Sequence, residues 1–113
     1  MYQLTPPAEL EFAVPEGATR VRAEVALRPG CYDGDGNSDG VGFTWVLRGR
    51  DGAERVLFYE HLNPRDHAGH RGILPRELVL PPRAGRVLIL RTDHGPAGDG
   101  AWDWPLVGNL RIE

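Results

Sequence analysis

No lysine occurs in this chain: all 13 basic residues are arginine. We read this as a bias of composition and not as a binding signal, because the arginines are scattered and the net charge is −3. A nucleic-acid surface needs a clustered positive stripe, so that partner class is set aside. Cysteine occurs once, as Cys31, which excludes an internal disulfide. A lone cysteine of this kind is expected to be a small, partly buried residue, not a nucleophile. Serine also occurs once, as Ser38, within an acidic stretch that gives it no catalytic company. The apolar runs fall far short of the ~18 residues that a spanning helix needs, so no membrane span is expected. No segment carries an i, i+3, i+4, i+7 apolar stripe over about ten residues, so long helices are not expected either. Met1-Tyr2-Gln3 lacks the charged-then-apolar pattern of a secretion signal. As part of a longer exported protein, the chain would belong outside the cell or in its envelope.

What is present is period-2 alternation. At 113 residues and 41% hydrophobic, the chain is long enough to bury one core, and a single domain over residues 1–113 is expected. The 15 glycines and 10 prolines imply many turns. Leu10, Phe12 and Val14 alternate with Glu9, Glu11 and Ala13 until Pro15-Glu16-Gly17. Val21, Ala23, Val25 and Leu27 alternate with charged neighbours until Pro29-Gly30. Val41, Phe43, Trp45 and Leu47 form the next apolar face, and Arg50-Asp51-Gly52 turns the chain into Val56–His61 as partner strand. Residues 62–75 are a long connection suited to crossing between sheets. Leu78 to Leu80 is a short strand. Val87-Leu88-Ile89-Leu90 is apolar on both faces, which suits a central strand. Leu106 to Ile112 supplies the last strand. The expected fold is an all-β antiparallel sandwich of seven to nine strands, with crossovers that favour Greek-key or jelly-roll connections. Its expected core includes Phe12, Val25, Phe43, Trp45, Ile89, Leu110 and Ile112.

Residues 33–40 read Asp-Gly-Asp-Gly-Asn-Ser-Asp-Gly. Asp33, Asp35, Asn37 and Asp39 alternate with small residues, and a hard cation such as Ca²⁺ takes roughly 6–8 converging oxygens. The start matches an EF-hand loop. Ser38 stands where that loop turns on glycine, however, and Thr44 stands where it closes on glutamate. Two readings remain: a simpler structural Ca²⁺ loop, or a solvated Asp/Gly turn between strands.

Trp102, Asp103 and Trp104 lie near Asp93 and His94 in a glycine-rich segment. Sugar binding needs an aromatic face for pyranose C–H groups and planar polar groups for hydroxyls, and these residues supply both. The competing reading caps the core with both indoles. His61, His67 and His70 match no zinc spacing and read as solvated loop groups. Arg65, Asp66 and Arg71 suit weak sheet-to-loop ion pairs. Asp93 and Asp99 could pair for glycoside hydrolysis, but so small a sandwich rarely offers a deep cleft, and no enzyme is expected.

The order of features resembles the jelly-roll carbohydrate-binding modules of the galactose-binding-like superfamily, closest to the NPCBM-type accessory domain of glycoside hydrolases. Ala23–Leu27 followed by Asp39-Gly40-Val41-Gly42-Phe43-Thr44-Trp45-Val46 resembles its strand, acidic loop and strand. Arg55-Val56-Leu57-Phe58-Tyr59 resembles its returning strand, and Asp103-Trp104 with Gly108-Asn109-Leu110-Arg111-Ile112 resembles its terminal segment, with compressed spacing. The resemblance implies a non-catalytic module, monomeric in isolation, that binds a carbohydrate or a protein and carries a structural Ca²⁺. The alternative is a structural or protein-interaction sandwich within a larger cell-envelope or secreted protein. Exposure of Trp102, Trp104, Tyr32 and Tyr59 separates the two.

Overall fold

The computed structural model describes residues 2–28, 40–81, 87–95 and 105–113. Among these residues eight strands run in chain order: β1 (Tyr2–Gln3), β2 (Ala8–Ala13), β3 (Arg20–Leu27), β4 (Val41–Arg48), β5 (Glu54–Leu62), β6 (Leu74–Val79), β7 (Val87–Asp93) and β8 (Pro105–Ile112). They form two four-stranded antiparallel sheets, β1-β8-β3-β6 and β2-β7-β4-β5. The protein is an all-β sandwich. The pairings nest: β4 with β5, β3 with β6, β2 with β7 and β1 with β8. Among the described strands, only β4 and β5 are consecutive partners within one sheet; each other consecutive pair lies in opposite sheets.

The alternation read from the sequence sets which side chains meet between the sheets. Val21, Ala23, Val25 and Leu27 of β3 face Val41, Phe43, Trp45 and Leu47 of β4, with Leu88 and Leu90 of β7, in one buried cluster. Phe43, Trp45 and Val25 are fully buried, as expected. Phe12, Leu110 and Ile112, expected in the core, are half-buried and pack against its margin. Phe12 sits on the edge strand β2 and Ile112 at the last position of β8, where fewer neighbours cover a side chain.

Ile89 is fully buried, yet its phase on β7 points it away from Leu88 and Leu90, toward the outer face of the second sheet. There it pairs with Val46 of β4, which is also buried. Arg91 lies on the same face, two residues further along β7. Its guanidinium donates to Glu9 on β2 at 2.6 Å and to Glu54 on β5 at 2.8 and 3.0 Å. The side chain thus spans the sheet from one edge strand to the other. Its aliphatic stem can shield apolar surface while the charged head stays satisfied.

The hairpin turn falls where the sequence placed it. Gly52 takes a positive φ of 83°, Gly49 N donates to Ala53 O, and Asp51 Oδ1 accepts from Ala53 N. Residues 63–73 carry the chain from β5 to β6, and so from one sheet to the other, through one 3-10 turn at Ala68–His70. At the same end of the sandwich Leu4 ties the sheets together. Its N–H donates to Pro105 O of the first sheet, and its carbonyl accepts from Thr92 Oγ1 of the second.

Candidate functional site

The end of the sandwich near Leu4 is where Asp93, His94 and the flanks of two connections meet. Arg28 and Gly40 bound residues 29–39, and Gly95 and Pro105 bound residues 96–104. The proposed metal ligands Asp33, Asp35, Asn37 and Asp39 lie outside the described residues, as do Cys31, Tyr32, Asp99, Trp102, Asp103 and Trp104. Of the expected ligand-binding set, Asp93 and His94 are described, and both are half-buried.

Asp93 closes β7 and stands in register with Gly42 of β4, which in turn faces His61 of β5. A Cβ on Gly42 would lie 2.4 Å from both Asp93 carboxylate oxygens, so the carboxylate rests on bare backbone. Glycine within a strand marks such a close approach. Asp93 Oδ1 also accepts from Gly95 N at 2.7 Å, which fixes its orientation. The His61 ring is held in the same manner. A Cβ on Gly40 or on Gly95 would lie 2.5 Å from its Nε2, and both glycines have positive φ, 106° and 75°. That Nε2 is buried and has no hydrogen-bond partner. His61 is therefore half-buried between two glycines and does not behave as the solvated loop group expected from the sequence.

The next row of the outer face holds Arg91, Thr44 and Tyr59 in register. Tyr59 is 48% exposed. Partial burial first, and then the negative charge of Asp93, hold its phenol above the usual tyrosine range. The outer face thus offers an exposed aromatic ring one row from an oriented carboxylate, with Thr44 of β4 in register with the ring.

The other histidines do different work. His70 Nδ1 accepts from Asn63 N at 2.9 Å, and the His70 ring meets that of His67 at 4.9 Å. Burial, and then the nearby charge of His67, lower the His70 pKa. His70 is thus a half-buried acceptor that pins the end of β5, not a solvated group. Of the residues expected to pair the loop with the sheet, Arg65 and Arg71 make bonds within the loop. Arg65 pairs with Asp66 at 3.3 Å, and Arg71 Nε donates to Pro64 O at 2.7 Å. The loop folds back on itself because Asn63 bonds both the side chain and the N–H of Asp66. Among the described residues no group of three or more His, Cys, Asp or Glu side chains could hold a metal ion. Among the same residues, no helix is long and apolar enough to cross a membrane.

Known proteins add one relationship. The chain is similar to an uncharacterized protein of Archaeoglobus fulgidus, 33% identical over 105 residues. The match takes in 91% of this chain and 26% of that protein, so the chain spans about a quarter of the relative's length. No family model matches the chain, and no solved structure matches it.

Sequence reasoning missed Gly42, His61 and Arg91 as parts of one surface. The readable signal was glycine at alternate positions, Gly40 and Gly42, within an otherwise bulky strand.

Proposed function

We propose that the chain is a non-catalytic carbohydrate-binding accessory module of a longer exported protein. Its shallow site lies at the Asp93 end of the second sheet. The observation that carries this reading is the exposed Tyr59 ring one row from Asp93, whose carboxylate lies on Gly42 with its orientation fixed by Gly95. An aromatic face takes the C–H side of a pyranose, and a fixed carboxylate accepts from its hydroxyls. The nested strand order supports the jelly-roll form of the sandwich. The match to only part of a longer relative supports an accessory role. His94, Trp102, Asp103 and Trp104 extend the site on the sequence reading, and Asp33, Asp35, Asn37 and Asp39 supply the Ca²⁺ loop.

A glycan-array screen with Ca²⁺ and with EDTA tests the reading. Affinity for one sugar unit is expected near the millimolar range, about −4 kcal/mol, because a shallow site recovers little after ordering costs. Tyr59→Ala and Asp93→Asn should abolish retention with the melting curve nearly unchanged. A melting temperature identical in Ca²⁺ and EDTA, with no calorimetric binding, would reduce the acidic loop to a turn.

A protein-interaction role is the second reading. It is favoured by the edge strand β5, where Val56 is 62% exposed and Phe58 36% exposed. An exposed edge can take an added strand from a partner. An array without any glycan hit would leave this reading in its place.

A further inference from the structure

The outer face of the second sheet carries more negative than positive charge. Among the described residues, the alternation of β2, β7, β4 and β5 puts Glu9, Glu11, Glu54 and Asp93 on that face, with Arg48 and Arg91 to oppose them. Both guanidiniums are committed. Arg48 pairs with Glu11 at 3.0 Å, and Arg91 is shared by Glu9 at 2.6 Å and Glu54 at 2.8 Å. The bond to Glu54, the first residue of β5, draws Arg91 toward the hairpin turn and away from the Asp93 end. Among the described residues no arginine or histidine nitrogen comes within ion-pair distance of Asp93.

This carboxylate is held in place. Asp93 is half-buried, and it leans over Gly42, which has no side chain to stop it. The lean carries the charge from β7 across β4 toward β5. Tyr59 of β5 is a diagonal neighbour of Gly42, because its direct partner is Thr44, two residues along β4. Diagonal neighbours stay within reach of an aromatic side chain. The charge of Asp93 is felt at the Tyr59 phenol, where it adds to burial in raising the pKa. Gly95 N–H holds Oδ1 at 2.7 Å, which leaves Oδ2 as the open acceptor. A fixed carboxylate with no counter-ion, close to an exposed ring, on a face of negative excess, favours a cation.

We infer that Asp93 and Tyr59 select a primary ammonium group, carried by an amino sugar whose ring lies on Tyr59. The sugar as carrier rests on the carbohydrate reading given above; the ammonium rests on the charge of the face. An ammonium is a compact donor that one open carboxylate oxygen can satisfy. A guanidinium fork wants both oxygens at once, and Gly95 already holds one of them. A hard metal ion needs several converging oxygens. Among the described residues no group of three or more His, Cys, Asp or Glu supplies them. The Tyr59 face serves both parts of the ligand, since it attracts a cation and covers pyranose C–H groups.

Titration calorimetry of the intact chain at about pH 6, where carboxylates are ionised and sugar amines protonated, tests the inference. Its ligands are the glucosamine trisaccharide, the same trisaccharide fully N-acetylated, neutral maltotriose, and spermidine. The free amine is expected to bind roughly 10-fold or more tighter than the acetylated form, the gain of one charge-assisted hydrogen bond. That advantage should shrink as salt rises. This comparison between ligands needs no variant. Asp93→Asn should erase the advantage with the melting curve nearly unchanged, and Arg48→Gln, on the same face but away from Asp93, should keep it. Acetylated trisaccharide binding as tightly as the free amine would overturn the inference and leave the carbohydrate reading standing. An advantage that survives Asp93→Asn would overturn the assignment to this carboxylate. Spermidine binding as tightly as the amino trisaccharide would overturn the sugar as carrier. Failure of all three saccharides to bind would overturn the carbohydrate reading and this inference with it.

Discussion

Glu60 and Arg76 join the two sheets at their edges. Arg76 of β6 places Nε and one terminal nitrogen each 2.7 Å from a different oxygen of Glu60 on β5. The two side chains are 27% and 13% exposed, so the pair is shielded more than an ordinary surface bridge. Glu60 stands opposite Phe43, a core residue, and therefore points inward. The Glu60 carboxylate raises the Arg76 pKa, so the cation persists at every working pH.

Cutting this clamp should cost more than cutting a surface pair. Arg76→Ala leaves the Glu60 charge partly buried and unpaired, and should destabilise by about 1.5–3 kcal/mol. Arg48→Ala, which removes a more exposed pair with Glu11, should cost about 0–1 kcal/mol. Urea unfolding of both variants gives the comparison.

Glycines at the Asp93 end should differ sharply in tolerance. At Gly40 a methyl group would meet the His61 ring at 2.5 Å and the Leu62 carbonyl oxygen at 2.7 Å, on a backbone of positive φ. Gly40→Ala should cost about 2 kcal/mol or more. At Gly42 the nearest atoms it would meet are those of the Asp93 carboxylate, the far end of a side chain that can turn if its bond to Gly95 N gives way. Gly42→Ala should cost less than about 1 kcal/mol while swinging Asp93 away, so glycan retention should fall without unfolding. Thermal melts and array retention together read both effects.

The pH dependence should carry a histidine signature. His70 has its pKa lowered on folding, by burial and then by His67. Between the folded value and the unfolded value of about 6.5, the unfolded chain binds the extra proton. The His70 contribution is therefore complete above about pH 6.5 and is lost as pH falls through the folded value. Melting temperatures of the parent and of His70→Gln, measured from pH 7.5 down to 5, should converge as the parent loses its advantage.

Asn109 holds a left-handed backbone at φ 48° within the β8 bulge. Asparagine and glycine tolerate this conformation better than other residues. Asn109→Ala should destabilise by about 1–2 kcal/mol, and Asn109→Gly by about 0.5 or less, in chemical denaturation.

Strand positions were legible because alternation is local. Val41, Phe43, Trp45 and Leu47 read as one apolar face, and they meet the core as that face. Val46 sits in the polar phase of the same strand, and no local rule explains its burial. That burial goes with an arginine stretched between Glu9 and Glu54, partners 82 and 37 positions away from Arg91. The two-residue β1 shows no alternation of its own and was missed. The joining of His61, Gly42 and Asp93 likewise depends on register between strands distant in sequence. The crossing made by residues 62–75 was legible because turn residues there outnumber strand formers.

The nested pairing also predicts an order of assembly in time. Joining β4 to β5 closes only the short turn at residues 49–53, whereas joining β1 to β8 encloses nearly everything between. Closure entropy rises with the length enclosed, but slowly once inner segments are already tied. The low-cost route zips outward from the hairpin: β3 onto β6, then β2 onto β7, with β1 last. Sequence-distant pairing of this kind places folding in the millisecond-to-second range. Mutations at Phe43 and Leu57 should therefore slow refolding, whereas mutations at Leu106 and Val107 should mainly speed unfolding. The outermost pair, β1 on β8, is expected to open first under stress, so the protein should loosen from its margin inward.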